Sequence, residues 1–185
     1  KRIFDLILAT FFLVLLIIPM LLISTIILLT SKGSALNWSD RVGKNNKIFK
    51  MPKFRSMLIC TPTVATHLLE NPSSYLSPIG GFLRRSSLDE IPQIFSVIKG
   101  EMSFVGPRPA LFNQNDLINL RTDKGVNKLL PGITGWAQVN GRDELSIPNK
   151  VALDVEYLNR QSFWFDIKIL WMTLLKVVKS DHIHH

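Results

Sequence analysis

A chain of 185 residues, 46% of them hydrophobic, has room for one domain with a core of its own. Its formal net charge of +8 suits an anionic partner: nucleic acid, phospholipid headgroups or a phosphorylated substrate. Cys60 is the sole cysteine, which excludes a disulfide framework and a Cys-rich zinc site.

Residues 6–30 carry no charge and read LILATFFLVLLIIPMLLISTIILLT. As a straight helix they span roughly 37 Å, enough for a hydrocarbon core of about 30 Å. The run is too long for a cleaved signal peptide, and no small-residue cleavage site follows it. Pro19 stands in its middle, where it removes one helical hydrogen bond and crowds the preceding turn. Lys1 and Arg2 precede the segment; Lys32, Arg41, Lys44, Lys47, Lys50 and Lys53 follow it. Basic flanks favour the cytoplasmic side. Two topologies stay open, a simple span and a helix broken at Pro19 that enters and leaves by one face. The second keeps both basic flanks on the same side, and the residues lean toward it.

The middle of the chain has no internal repeat and an α/β character. KIFKMPKFRSM (residues 47–57) alternates basic and apolar residues as a short strand or strand edge, interrupted at Pro52. Prolines break residues 58–80 into a loop with one helical turn, in which His67 is a surface or packing histidine rather than a base. Residues 79–85 suit a helix.

RRSSLDEIPQ follows, with adjacent carboxylates Asp89 and Glu90 close behind Arg84 and Arg85. Ser87 with Glu90 matches a capping box, but that start buries Pro92 too deep in the helix. Asp89 as the N-cap moves Pro92 into the first turn, with helix over residues 90–99 and Gly100 as its stop. A helix start and two arginines favour an ionised Asp89 and would also attract a phosphate. The plain alternative is an Arg85–Asp89 surface pair at i, i+4.

Arg108 is clamped by Pro107 and Pro109, which stiffen its backbone; a guanidinium on a rigid turn suits phosphate recognition. PGITGWAQVNGR then brings Gly132, Gly135 and Gly141 together with Gln138, Asn140 and Arg142, a density that marks turns or close backbone approach. Neither a Walker A pattern nor GxGxxG occurs. The last segment, SFWFDIKILWMTLLKVVK, reads as an amphipathic helix. Phe163, Ile167, Leu170, Leu174 and Val178 fall at helical spacing, with Trp164, Trp171 and Lys168, Lys176, Lys179 among them. A membrane interface and a core-facing helix explain it equally well. The closing HIHH is a frayed tail or tag remnant rather than a metal site.

Five segments in this order resemble the monotopic bacterial phosphoglycosyl transferases, also called bacterial sugar transferases. They are KRIFD, RVGKNNKIFKMPKFRSM, PIGGFLRRSSLDEIPQIFSVIKGEMSFVGPRPAL, LLPGITGWAQVNGR and SFWFDIKILWMTLLKVV, and they cover nearly the whole chain. The resemblance implies transfer of a phosphosugar from a UDP-sugar to a polyprenyl phosphate such as undecaprenyl phosphate, releasing UMP. That step begins O-antigen, capsule, exopolysaccharide or glycoprotein glycan assembly on the cytoplasmic face of the inner membrane.

The resemblance further implies an α/β, mostly helical fold in four parts. These are a re-entrant helix broken at Pro19 (1–31), a catalytic domain with little strand (32–162), an interfacial helix (163–180) and a tail (181–185). Asp89 and Glu90 match the family's dyad, with Asp89 as nucleophile and as ligand of Mg2+; Glu90 holds either the metal or a phosphate. Lys53, Arg84, Arg85, Pro107, Arg108, Pro109, Gln138 and Arg142 are the expected substrate contacts. A covalent aspartyl-phosphosugar would split transfer into two steps with ping-pong kinetics. Ile18 stands where the family commonly has a serine, and Ser96-Val97 and NWSD also depart from its pattern. With no Met at position 1, the chain is expected to suit the catalytic end of a larger member as well as a short one. The rival reading is a non-catalytic scaffold on anionic lipid; a nucleic-acid partner does not suit the membrane segment.

Overall fold

The computed structural model describes residues 1–62, 71–141 and 145–179; His67, Arg142 and the 181–185 tail lie outside them. Helix α1 (Arg2–Thr30) is long and apolar enough to cross a membrane, by length and composition. Its helical residues continue through Pro19, so the break expected there is not seen as two separate helices. Proline takes away one amide donor, and the turns on either side are held by packing. A stripe through Asp5, Ala9, Met20, Ile23 and Ile27 is buried, with Leu13 and Leu16 partly buried between them. The opposite face leaves Ile7, Phe11, Val14, Ile18, Leu22 and Leu29 exposed.

Both ends of α1 are tied to the same globular body. At the start, Lys1 Nζ donates to Val105 O (2.9 Å), Tyr157 Oη (2.9 Å) and Asp166 Oδ2 (2.6 Å). Arg2 caps the C-terminal carbonyls of a later helix, reaching Val97 O at 2.5 Å and Ile98 O at 2.7 Å. Asp5 accepts from Ser103 Oγ and the Phe104 amide, which satisfies a carboxylate that is 2% exposed. At the far end, Met20, Ile23 and Ile27 pack in one cluster with Phe54 and Leu83.

Strands β1 (Leu36–Val42) and β2 (Ile48–Phe54) form an antiparallel hairpin in which Trp38 faces Pro52 and Asp40 faces Lys50. The sequence indicated only the second strand, because NWSDR has neither apolar alternation nor a β-branched run. Pro52 is accommodated because a two-stranded sheet has an open edge, where proline costs no ladder bond. Helix α2 (Gly80–Arg85) falls where expected.

The next helical stretch starts differently from the expectation. Ser87, in the left-handed region (φ 56°), precedes a 3-10 turn over Leu88–Gln93, which leads into α3 (Ile94–Lys99). Asp89 is therefore inside the first turn and not the N-cap. Pro92 cannot donate a backbone hydrogen bond, and the tighter turn before it closes through Glu90 N to Ser87 O at 3.2 Å. Gly100 ends α3 in the left-handed region (φ 88°), as its position predicted.

Strand β3 (Ser103–Val105) runs parallel to β4 (Gly132–Thr134). Between them is α4 (Asn115–Asp123); beyond them come α5 (Trp136–Val139), α6 (Ile147–Arg160) and α7 (Phe163–Lys179). The glycines of the PGITG segment serve close approach. A Cβ on Gly132 would fall 2.1 Å from the Gly106 amide nitrogen, and one on Gly135 would fall 2.1 Å from Gly106 O. Gly132→Ala is expected to cost about 3 kcal/mol, because backbone rather than a pliable side chain blocks the methyl. Chemical denaturation checks it, and an unchanged midpoint would contradict the close packing.

Helix α7 buries Phe165, Asp166 and Ile169. The apolar line read from the sequence divides: Phe163 and Leu174 are exposed, as are Trp164 and Trp171, whereas Ile167 is half-buried and Leu170 packs against the core. An inner face sits one position away from the predicted one, so the helix is apolar on two sides. Tyr157 and Phe165 stack in the core that α1, α3 and α7 share.

Candidate active site

Four elements converge on the two carboxylates. Lys53 projects from β2, Arg84 from the last turn of α2, Asp89 and Glu90 from the 3-10 turn, and Arg108 from the loop after β3. Glu90 Oε1 accepts from Lys53 Nζ at 2.7 Å and from Arg108 Nη2 at 2.8 Å. Its side chain is only 14% exposed. Burial alone would push its carboxyl upward, but Arg108 and Lys53 outweigh that and hold it well below the usual carboxylate range.

Asp89 is in the opposite condition. Its carboxylate makes no hydrogen bond or ion pair with the other described residues. Burial raises its pKa, Lys53 draws it down, Glu90 pushes it up, and Arg84 and Arg108 draw it down again; the net direction is up. One member of the dyad is thus saturated with cations while the carboxylate of its neighbour has no bonded partner among the described residues. Burial likewise lowers the pKa of Lys53, against the pull of Glu90.

Arg41 on β1 is a member of this group that sequence reasoning counted only as a membrane-flanking charge. Burial and the neighbouring Arg108 lower its pKa to about 10, while Glu90 acts the other way. Its Nη1 donates to Pro109 O at 3.2 Å. The signal was its place in the RVGK block; composition could not separate it from the lysines around it. Among the described residues the cluster therefore sets Arg41, Lys53, Arg84 and Arg108 against two carboxylates. That surplus of positive charge suits a diphosphate.

The other expected contacts are less closely joined. Arg85 is exposed and makes no hydrogen bond or ion pair among the described residues, whereas Arg84 turns inward and reaches Met57 Sδ at 3.1 Å. Pro107 and Pro109 bracket Arg108 and line a shallow pocket beside it with Asn46, Asn127 and Leu129. Gln138 lies on α5 beside Gly135, hydrogen-bonds to none of the site residues, and has both amide atoms buried without a partner.

No group of three or more His, Cys, Asp or Glu suited to a metal occurs among the described residues. Mg2+ does not need one, since it commonly binds through one or two carboxylates plus substrate phosphates and water. The unbonded Asp89 carboxylate fits that donor set. Glu90, drawn onto Lys53 and Arg108, fits it less well.

The profile of the bacterial sugar transferase family matches residues 1–180. The chain belongs to the bacterial sugar transferase family. A UDP-glucose:undecaprenyl-phosphate glucose-1-phosphate transferase of Escherichia coli (strain K12) is 39% identical over 184 residues, covering 95% of this chain and 39% of that protein. An undecaprenyl-phosphate glucose phosphotransferase of Komagataeibacter xylinus is 39% identical over 97% of this chain and 36% of its own length. An uncharacterized sugar transferase of Bacillus subtilis (strain 168) is 37% identical over 99% of this chain and 89% of its own length. The chain thus spans well under half of the first two relatives and most of the third.

Proposed function

We propose that this sugar transferase moves a sugar-1-phosphate from a UDP-sugar to a polyprenyl phosphate through a covalent intermediate on Asp89. The observation that carries the reading is the unbonded Asp89 beside a Glu90 neutralised by Lys53 and Arg108. An Asp89 carboxylate oxygen attacks the phosphorus that bears the sugar. The bond from that phosphorus to the bridging oxygen breaks, and its electron pair leaves with UMP. The polyprenyl phosphate oxygen then attacks the same phosphorus and displaces the carboxylate, which regenerates Asp89. Lys53, Arg84, Arg108 and Arg41 lower the repulsion between one anion and another during both steps. Asp89 would hold a Mg2+, which would supply Lewis-acid screening of the same charge.

Helices α1 and α7 support a membrane placement. A helix that crossed the bilayer upright would carry one end away from the globular body, yet both ends of α1 are held on it. This supports a monotopic arrangement on the cytoplasmic face, with the outward residues of α1 and Trp164 and Trp171 of α7 in the lipid. A lipid-binding scaffold would account for those surfaces but not for an unbonded carboxylate among cations.

The test is intact-mass measurement after incubation with Mg2+ and a panel of UDP-sugars, without acceptor. One phosphosugar adduct with release of UMP, absent in Asp89→Asn, is the expected result. Turnover with acceptor but no adduct at any time would exclude the covalent route. Neither turnover nor binding across the panel would favour the scaffold.

A further inference from the structure

Proline lacks a backbone donor, so two of the three residues in Pro107-Arg108-Pro109 can be held only through their carbonyls. All three carbonyls are taken, each by a different element. Pro107 O accepts from the Gly132 amide at 2.9 Å, Arg108 O from Arg121 Nη1 at 2.8 Å, and Pro109 O from Arg41 Nη1 at 3.2 Å. The middle hold is the most elaborate. Arg121 on α4 is 8% exposed, and its Nε and Nη2 both reach Oδ2 of Asp154 on α6, at 2.9 and 2.7 Å. Asp154 is 1% exposed.

A buried ion pair is a poor way to staple two helices, because desolvation consumes most of its attraction and an apolar pair of equal volume does as well. Helices α4 and α6 already have such contacts, since Leu117 and Val151 pack in one cluster with Ala110. What the apolar pair lacks is a rigid donor aimed at a carbonyl. A guanidinium has one to spare after both other nitrogens are fixed on Asp154.

We infer that Arg121, locked by Asp154, is a positioning residue for phosphosugar transfer. It fixes the backbone of Arg108 so that the Arg108 guanidinium meets Glu90 and the donor's diphosphate. The inference rests on the function proposed above. It assigns work to two buried residues that touch neither carboxylate of the dyad.

The experiment is a double-mutant cycle on kcat/KM for the UDP-sugar, with Arg108→Ala and Arg121→Lys singly and together, each checked for a cooperative melt. Lysine keeps the charge and loses the fork. Arg121→Lys is expected to lower kcat/KM roughly 10- to 100-fold with Arg108 present, as a misplaced charge does. In the Arg108→Ala background it should cost less than about 3-fold, because nothing remains to be positioned. Equal losses in both backgrounds would overturn the inference and leave Arg121 a structural residue. Should Arg121→Lys not fold, Asp154→Asn completes the same cycle with shape and one acceptor retained. An active wild type with additive losses refutes the positioning role alone. A wild type without transfer, unaffected by Arg108→Ala, refutes the function and the positioning together.

Discussion

Asp89→Asn is expected to abolish phosphosugar transfer, by on the order of 10⁴-fold or more, and at the same time to raise the melting temperature. Loss of activity follows from the chemistry, since an amide oxygen is too weak a nucleophile to displace UMP. The gain in stability follows from the environment. Burial raises the Asp89 pKa above its unfolded value, so between the two values the folded chain binds the extra proton. Stability therefore falls as pH rises through that window, and above it the ionised carboxylate carries the full penalty. Asparagine is neutral at every pH and escapes it. Melts of wild type and variant should converge at acid pH and separate toward neutrality, with the variant higher. A variant that melts lower at neutral pH would mean that the surrounding cations stabilise the Asp89 carboxylate and that its pKa is not raised. A wild-type rate that falls on the acid side at a higher pH than an ordinary carboxylate would support the same raised pKa.

Glu90→Gln is expected to be harmful in both respects. Glu90 is the common counter-charge of Lys53 and Arg108, and all three side chains are largely shielded from water. Removing the charge leaves two cations facing each other, with Arg41 behind them. Breaking one partner out of a buried pair costs about 3 kcal/mol. The linkage has the opposite sign from Asp89. A carboxyl held below its unfolded value contributes stability above that value and loses it as pH falls through the folded one. The difference between wild type and Glu90→Gln should therefore be widest at neutral pH and shrink in acid. Donor affinity should drop too, because Lys53 and Arg108 lose the charge that orients them. Denaturation across pH, with KM and kcat measured separately, checks this. A variant with unchanged stability and KM would show that Glu90 does not organise the cations.

The contrast between these two neighbours was not legible in the sequence. Asp89-Glu90 reads as a dyad from its resemblance and its nearby arginines, yet adjacent carboxylates in one turn look alike until their surroundings are known. Which one is saturated depends on where Lys53 and Arg108 arrive. Those residues are separated from Glu90 by 37 and 18 positions along the chain. Long-range approach has no local sequence signal. The same holds for Arg41, one base among several after the apolar segment, and for Arg121 and Asp154, whose spacing of 33 residues carries no motif.

Local features were readable wherever a local cause sufficed. Gly100 ends α3 because a left-handed stop favours glycine, and an uncharged apolar run of membrane-spanning length marks α1. The dense glycines of PGITG announced close approach, although not that Gly106 would be the neighbour. Where two causes competed, the tertiary structure decided. Ser87 took the left-handed position and displaced the predicted cap, because Pro92 favours a tighter turn than the α-helical start assumed for Asp89. Helix α7 turned Phe165 and Ile169 inward and split the predicted apolar line, with Leu170 against the core and Phe163 and Leu174 outside, because a helix apolar on two sides does not say which one its core will take. Composition, periodicity and turn chemistry act over a few residues, and they located α1, α2, the end of α3 and α7 but not α4, α5 or α6. The charges that define the site act across space, and only the folded chain decides which of them meet.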